Sequence, residues 1–451
     1  MTKYILTLSI ALIASIPGTS YAEDKFLDIQ EVKSKSGITA WLVEDHSIPV
    51  IAMQFAFKGT GSKNDPLDKQ GLARLASNTM DEGAGDLDSE TFQKTLLNQS
   101  ITLHFSSTRD HFSGQIKTLS RNKAEAFNLL ELALSQPRFD DDAVERMKLA
   151  NKSRVHASIP NPRWIAARIQ NDVLFEGHPY AHNSGGTLSG LDAITREDLH
   201  GFHQTLGKNQ LIIGVAGDID AEELVQYLDE VFGDMPDAQS PTPVEFDLKN
   251  AGRTYVYEKP VPQSIVEIAQ NGVRRGDEDF YAAYIMNFIL GESGFGSRLM
   301  EEVREKRGLT YGIYSYFREY DETDTLQIST STANETVNEV LTVINGQLED
   351  IKENMVSEDE LTSAKSYLIG SLPLSLTSTD AIASVLLSLQ LDALPIDYLD
   401  QRAALLNAVT AEDVQKTAQR ILDTNALTTV IVGQPENISD ATLITELPNV
   451  K

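Results

Sequence analysis

The sequence predicts an α+β protein of two related domains, each with a mixed, mostly antiparallel sheet and helices packed on one face. Three observations predict it: a long-range internal repeat, a proline-rich segment between the two copies, and strand-like runs that alternate with helical patterns. The chain has 451 residues, which is more than a single hydrophobic core usually organises. We therefore expect two cores rather than one.

The repeat consists of three sequence pairs that recur in the same order at offsets of 215, 216 and 217 residues. The pairs are ITREDL (194–199) with VTAEDV (409–414), LIIGVAGD (211–218) with LTTVIVGQ (427–434), and FDDDAVERMK (139–148) with VSEDELTSAK (356–365). Thr195 and Thr410 each precede acidic residues, as a helix N-cap and first turn do. Common order and spacing indicate a duplicated domain plan.

Strand-like runs occupy 48–57, 101–107 and 111–119, and a helical pattern follows at 123–135. Residues 237–252 contain Pro241 and Pro243 among polar residues, which is typical of an inter-domain linker. We therefore predict an N-terminal domain over 23–236 and a C-terminal domain over 253–451.

The formal net charge is −28. Such an acidic surface argues against nucleic acid and anionic membranes as partners and favours neutral or basic peptides. Alternatively, the charge serves only to keep the protein soluble.

The first 22 residues are typical of a secretory signal. Lys3 precedes an apolar run over 4–16, then Pro17 and small residues ending at Ala22. The run is shorter than the ~20 residues that a membrane span needs, so we predict cleavage after Ala22. The chain has no cysteine. Export without disulfides favours a bacterial periplasm.

Residues 71–85 read GLARLASNTMDEGAG, and other segments before and after it occur in an order that a known family shares. These are WLVEDHSIPV, YAHNSGGT, ITREDLHGFH, LGESGFGSRLMEEVREKRGLTYGIYSYF and LPIDYL. Over 28–436 the chain resembles the pitrilysin/insulinase family of zinc metallopeptidases. The resemblance implies two pitrilysin-like domains that clasp a substrate cavity.

In that family, the positions that correspond to residues 74–78 of this chain carry His-x-x-Glu-His, and a glutamate further along the chain completes the zinc site. This chain has Arg74, Ser77 and Asn78 instead. The position of the distal glutamate falls near Arg154. A cation, a hydroxyl and an amide cannot replace two imidazoles and a carboxylate around zinc. We therefore expect a degenerate site that holds no metal.

Other histidines are weaker candidates for metal ligands. His200 and His203 lie at i and i+3 of one predicted helix, but no third ligand is near in sequence. We interpret them as part of a solvated helix face. The sequence thus disfavours an autonomous peptidase with a displaced metal site.

The second domain retains an arginine–tyrosine pair. The segment 297–312 predicts a helix that begins at Ser297 and ends at Gly308, with Arg304 in its last turn and Tyr311 in the strand that follows. In the family, this pair reaches the scissile peptide, and both side chains can donate to a developing oxyanion. Alternatively, Arg304 complements the helix dipole and Tyr311 only packs. The glycine-bearing residues Gly294, Phe295 and Gly296 are candidates for substrate contact or a tight turn.

The resemblance implies the non-catalytic subunit of a heterodimeric periplasmic zinc peptidase that acts on peptides. A homologous partner chain would supply His-x-x-Glu-His, zinc and the general base, and this chain would supply Arg304 and Tyr311. Without that partner, a homodimer is possible. The alternative is a peptide-binding or scaffold protein of the same fold with no peptidase activity.

Overall fold

The computed structural model describes residues 25–239 and 241–448. The predicted signal segment 1–22, with its cleavage point after Ala22, lies outside these residues. The described chain forms two six-stranded sheets, each flanked by helices. No helix within these ranges is both long and apolar enough to cross a membrane.

The first sheet has the strand order β1-β2-β6-β3-β5-β4. Its strands are β1 (Gln30–Lys33), β2 (Thr39–Glu44), β3 (Val50–Lys58), β4 (Thr102–Ser107), β5 (His111–Leu119) and β6 (Leu211–Gly217). Only β2 and β6 pair in parallel, and the other neighbours are antiparallel. The edge strand beside β5 is therefore β4.

The second sheet has the matching order β12-β7-β11-β8-β10-β9. Its strands are β7 (Thr254–Glu258), β8 (Gln263–Asn271), β9 (Thr310–Glu319), β10 (Asp324–Ala333), β11 (Thr428–Gly433) and β12 (Ala441–Ile444). The β7–β11 and β7–β12 pairs are parallel and the rest antiparallel. Here the edge strand is β9. The predicted fold class is confirmed in both halves.

The α-helices follow one plan in each half. In the first half they are α1 (Leu72–Thr79), α2 (Ser89–Asn98), α3 (Lys123–Ser135), α4 (Asp141–Ser158), α5 (Pro162–Leu174), α6 (Leu188–Ala193), α7 (Arg196–His203) and α8 (Ala221–Phe232). In the second half they are α9 (Phe280–Asn287), α10 (Val337–Glu353), α11 (Glu358–Ser375), α12 (Thr379–Leu391), α13 (Tyr398–Ala408) and α14 (Ala411–Ile421). Phe288–Glu292 and Met300–Glu305 are π-helical.

The repeat predicted from sequence has a structural counterpart in the helix starts. Thr195 begins α7 and Thr410 begins α14, and each forms a reciprocal capping box with the aspartate three residues later. Such a cap satisfies backbone N–H groups that the first helical turn leaves without partners. The two matched helices therefore begin where the sequence predicts.

The two halves exchange one helix each. Helix α5 of the first half packs on the second sheet, where Ile165, Ile169 and Val173 contact Tyr255, Val430 and Val432, among others. Helix α12 of the second half packs on the first sheet, where Ile382, Ala383 and Leu386 contact Trp41, Val43 and Ala216. Each sheet thus has its own half's helices on one face, as predicted, and the other half's helix on the opposite face, which the sequence did not predict.

The segment between the halves is folded against both of them. Residues 235–239 and 241–253 contain no helix or strand. Phe246 and Leu248 nevertheless pack beside Phe175 and Tyr180, and the Phe246 N–H donates to the Glu322 carbonyl at 2.7 Å. The domain boundaries at 236 and 253 remain a prediction.

One sequence-based expectation about surface histidines is wrong. His200 and His203 on α7 are half-buried rather than solvated. The His203 Nε2 lies 2.6 Å from the Leu134 carbonyl, and the His200 ring contacts Phe139 edge-on. Helical spacing alone did not reveal that this face packs against neighbouring segments.

A buried ionic cluster joins the halves beside the β9–β10 turn. The Lys63 ammonium lies 3.1 Å from Asp110, 3.5 Å from Asp321 and 3.1 Å from Glu322. Burial alone would lower the pKa of Lys63, but the surrounding carboxylates hold this pKa above its ordinary value. Tyr180 donates its hydroxyl proton to Asp110 at 2.5 Å. This lysine neutralises carboxylates from both halves.

Gly214 permits the close approach of α12 to β6. A Cβ at this position would lie 2.5 Å from the Ala383 carbonyl oxygen and 2.8 Å from Leu386 Cβ. We expect Gly214→Ala to lower the free energy of unfolding by about 1–3 kcal/mol, since α12 must shift. The control is Gly346→Ala in α10, where nothing lies within 4 Å; it should stabilise by up to about 1 kcal/mol. Urea denaturation measures both, and equal stability of Gly214→Ala and wild type would contradict the exchanged-helix packing.

Replacing Lys63 should destabilise the contact between the halves. Lys63→Met leaves three poorly exposed carboxylates without their cation, and we expect a loss of about 3–5 kcal/mol. Lys117→Met is the matched control, because Lys117 also pairs across the halves, with Asp380, but both side chains are substantially exposed. Its cost should stay below about 1 kcal/mol. Similar losses of stability in the two variants would show that the buried cluster stabilises the protein no more than an exposed ion pair does.

Candidate functional site

Helix α1, which carries three of the predicted site positions, is anchored at its start by Asp65. The Asp65 carboxylate accepts the backbone N–H groups of Gly71 at 2.9 Å and Ala73 at 3.0 Å. Burial raises the pKa of Asp65 to about 7, although the hydrogen bonds from these backbone N–H groups lower it. Gly71 has a φ of +99°, a left-handed conformation that glycine adopts without strain. These contacts fix the direction in which α1 leaves the loop.

The three motif positions on α1 have different surroundings. Arg74 is half-buried, and Ser77 is fully buried with its hydroxyl donating to the Arg74 carbonyl at 2.8 Å. The Asn78 Oδ1 is buried and has no hydrogen-bond partner within the described part of the chain. The Ser77 hydroxyl therefore makes its hydrogen bond within its own helix.

Arg154 on α4 lies beside Arg74, as the family register implies. Both arginines line one cavity of about 300 Å³. The other lining residues are Ser107, Asn151, Val155, Ser158, Trp164, Asn183, Ser184 and Gly185. Burial lowers the pKa of Arg74, and the nearby charge of Arg154 lowers it further.

The residues at this position do not fit a zinc ion. Two guanidinium groups repel a cation, and neither Ser77 nor Asn78 offers a thiolate, imidazole or carboxylate. Across residues 25–239 and 241–448, no cluster of three or more His, Cys, Asp or Glu side chains could hold a metal. The side chains present can instead donate hydrogen bonds.

The second set of predicted residues lies at the start of β9. Arg304 lies in the π-helical turn Met300–Glu305, which ends before Gly308 with φ +65°. The helix predicted over this segment is present, but its hydrogen bonds include Lys306 N–H to the Glu301 carbonyl, five residues back. This widens the turn that carries Arg304.

The structure brings Arg304 to Phe295 rather than to Tyr311. The guanidinium lies 4.4 Å from the centre of the Phe295 ring, and its Nε lies 3.6 Å from Glu305. No hydrogen bond or ring contact joins Arg304 to Tyr311 in the described residues. Gly294 and Gly296 flank Phe295 in a short 3₁₀ turn, and a Cβ at Gly294 would meet nothing within 4 Å. This loop is open to solvent.

Tyr311 is 83% exposed and begins an edge strand that presents more aromatic surface. Tyr314 and Tyr316 follow on β9 with 50% and 36% exposure, and Phe295 is 70% exposed. The outer edge of β9 has no strand neighbour in the described sheet. Exposed tyrosines beside an unpaired strand edge can bind an extended peptide through backbone hydrogen bonds and ring contacts.

Neither Arg304 nor Tyr311 lines the cavity that contains Arg74 and Arg154. A larger cavity of about 910 Å³ lies between the halves, and it is lined by neither Arg74 nor Arg304. Its walls include Arg109, Asp110, Arg318, Asp321 and Asp392. Sequence reasoning did not single out these residues, because no motif groups them.

Sequence reasoning also missed most of the smaller cavity. Asn151 and Ser158 lie on α4 with Arg154, but the family pattern points only to position 154. Ser184 and Gly185 lie in YAHNSGGT (180–187), whose position in the family order was the available signal. Trp164 lies on α5, the exchanged helix, and nothing local in the sequence points to it.

Comparison with known proteins gives two family matches. Residues 51–177 match "Insulinase (Peptidase family M16)", and residues 193–368 match "Peptidase M16 inactive domain". Among curated relatives, a protein of Helicobacter pylori named "Non-peptidase homolog YmxG" is 24% identical over 96% of this chain and 99% of its own length. The yeast (Saccharomyces cerevisiae) mitochondrial-processing peptidase subunit beta is 21% identical over 87% of this chain and 88% of its own.

Solved structures agree with these matches. The crystal structure of a peptidase M16 inactive domain from Pseudomonas fluorescens superposes with a TM-score of 0.85 at 26% identity, covering 91% of this chain and 98% of that one. A protease from Helicobacter pylori shares the fold with a TM-score of 0.81 at 18% identity, covering 90% of this chain and 99% of that one. With its duplicated fold and its two family matches, this chain belongs to the insulinase family (peptidase family M16), as a member without zinc ligands at the motif positions.

Proposed function

We propose that this chain is the non-catalytic, substrate-binding subunit of a heterodimeric periplasmic zinc metallopeptidase that acts on peptides. The observation that carries the proposal is the exposed Tyr311 on the edge strand β9, seven residues after Arg304, in a chain whose own zinc positions hold Arg74 and Arg154. A homologous partner chain supplies His-x-x-Glu-His and the zinc. This chain supplies donors to the substrate.

The chemistry of the two side chains suits this role. A guanidinium and a phenol both donate hydrogen bonds, and donors aimed at a peptide carbonyl stabilise the oxyanion that develops during attack. Phe295 supports the Arg304 guanidinium by a cation–π contact, which limits its freedom before substrate arrives. The Tyr311 side chain is 83% exposed, so a substrate can reach its hydroxyl. An extended peptide beside β9 places successive carbonyls within reach.

The relatives support a role in an assembly. One is named a non-peptidase homologue, and another is named as a subunit of a processing peptidase. The predicted signal segment over 1–22 supports export to the periplasm. A chain that only scaffolds or binds peptides, alone or as a homodimer, is the alternative that the following tests distinguish.

The mature chain alone should bind no stoichiometric zinc and cleave no peptide. Restoring the motif with Arg74→His, Ser77→Glu and Asn78→His should not suffice, because Arg154 still faces the same cavity. Adding Arg154→Glu supplies the third protein ligand beside the two restored histidines, so this quadruple variant should retain far more zinc than the triple. Metal analysis of periplasmically expressed protein measures this. About one tightly held zinc in the wild-type chain would contradict the proposal.

Removing the phenol donor should slow the assembled enzyme. We expect Tyr311→Phe to lower kcat of the complex by roughly 10²-fold, as when an oxyanion donor is removed. Arg304→Ala should act similarly, and the double variant should lose little more, since both serve one carbonyl. Peptide turnover by the co-purified complex measures each.

Tyr367→Phe is the matched control, because Tyr367 is also an exposed tyrosine but lies on α11 rather than on β9. It should leave kcat within about twofold of wild type. Complex formation should be unchanged in all of these variants. If Tyr311→Phe leaves turnover untouched, or instead separates the subunits, the scaffold alternative is favoured.

A further inference from the structure

The cavity at the degenerate zinc site contains two arginines and no acid. Neither Arg74 nor Arg154 lies within 4 Å of a carboxylate in the described chain, and none of the ten lining residues is Asp or Glu. The full sequence has 66 acidic against 38 basic residues. In so acidic a protein, two neighbouring arginines without a carboxylate partner indicate that their charges are reserved for something else.

The arrangement is electrostatically unfavourable when the cavity holds only water. Arg74 is half-buried, and both its burial and the charge of Arg154 lower its pKa. Two like charges in a partly desolvated site repel each other unless an anion lies between them. An anionic ligand would therefore gain both attraction and relief of this repulsion.

A buried amide adds a donor that has no acceptor among the described residues. Asn151 is 2% exposed, and its Oδ1 accepts a hydrogen bond from Arg154 Nη1 at 3.1 Å. This bond orients the amide, so the Asn151 Nδ2 is the remaining donor. It is buried and has no hydrogen-bond partner in the described residues. A buried donor left unpaired costs free energy that a ligand oxygen would recover.

The remaining walls indicate the size and character of the ligand. Val155 and Trp164 provide apolar surface next to the arginines, and Ser107, Ser158 and Ser184 provide hydroxyls. The volume of about 300 Å³ exceeds what a bare inorganic anion fills. A C-terminal residue would use both kinds of wall, because its carboxylate suits the arginines and its side chain suits the apolar surface.

We propose that this cavity binds the C-terminal carboxylate and last side chain of a peptide. Arg74, Arg154 and the Asn151 amide hold the carboxylate oxygens, and Trp164 and Val155 contact the terminal side chain. The choice of ligand rests on the proposed peptide-binding role, whereas the affinity for a carboxylate rests on the cavity alone. The degenerate zinc site thus becomes an anchor for chain ends.

Binding to the purified mature chain tests this without any partner. The probes are the acetylated tripeptides Ac-Ala-Ala-X, with X degenerate, prepared as free acids and as C-terminal amides, and inorganic phosphate as a third. Saturation-transfer NMR detects binding, and calorimetry measures Kd for the strongest binder. We expect the acids to bind at least about tenfold more tightly than the amides, because the amide lacks the negative charge and has one acceptor oxygen instead of two.

Two variants and a control locate the site. Arg74→Gln and Arg154→Gln should each weaken acid binding about tenfold or more and abolish the acid–amide difference. Arg146→Gln should change neither, because Arg146 lies on the same helix α4 but pairs with Glu82 outside the cavity. Without ligand, Arg154→Gln should unfold at the same or a higher temperature than wild type, since it removes a repulsion.

Three results would overturn the inference: equal affinity for acids and amides, binding of phosphate but of neither peptide form, or a lowered Tm of Arg154→Gln with unchanged affinity. Turnover of the complex separates this inference from the proposed function. Tyr311-dependent turnover without acid–amide discrimination removes only the anchor. Discrimination without such turnover leaves the anchor standing and removes the catalytic role.

Discussion

The exchange of α5 and α12 between the halves is the constraint on which the rest of the structure depends. Each sheet has one face that its own half does not cover, and each missing cover comes from the other half. Burial of apolar surface is the main stabilising term in folding, so neither sheet completes its core alone. The buried Lys63 cluster strengthens the same contact.

This exchange also shapes the cavity that holds Arg74 and Arg154. Helix α4 carries Arg154 within the first half, and α5 then crosses to the second sheet, taking Trp164 with it. The cavity therefore lies where the chain passes from one half to the other. Its walls depend on the packing between the halves as well as on the local helices. Tyr311, by contrast, lies on β9, whose outer edge has no strand neighbour in the described sheet.

Sequence predicted the duplicated α+β plan because repeats, caps and strand alternation are local signals. Thr195 and Thr410 begin their helices as expected. Sequence did not predict which sheet α5 and α12 would cover, since an apolar helix face does not specify its partner. It placed Arg154 beside Arg74 only through the family register. The sequence predicted the helix before β9. The residue pattern does not distinguish a π-helix, in which the Lys306 N–H bonds to a carbonyl five residues back, from an α-helix, in which the bond reaches four residues back.

The crossing of α12 onto the first sheet has a consequence for the order of folding. The strand β6 ends at Gly217, but the helix that covers it begins at Thr379. Because synthesis starts at the N-terminus, the first sheet is made long before α12. Its apolar face, which includes Trp41 and Val43, stays uncovered until α12 is made. Contacts of such long sequence separation form slowly, and exposed apolar faces aggregate in the meantime. We therefore expect the growing chain to need protection from aggregation during synthesis, as a consequence of the topology itself.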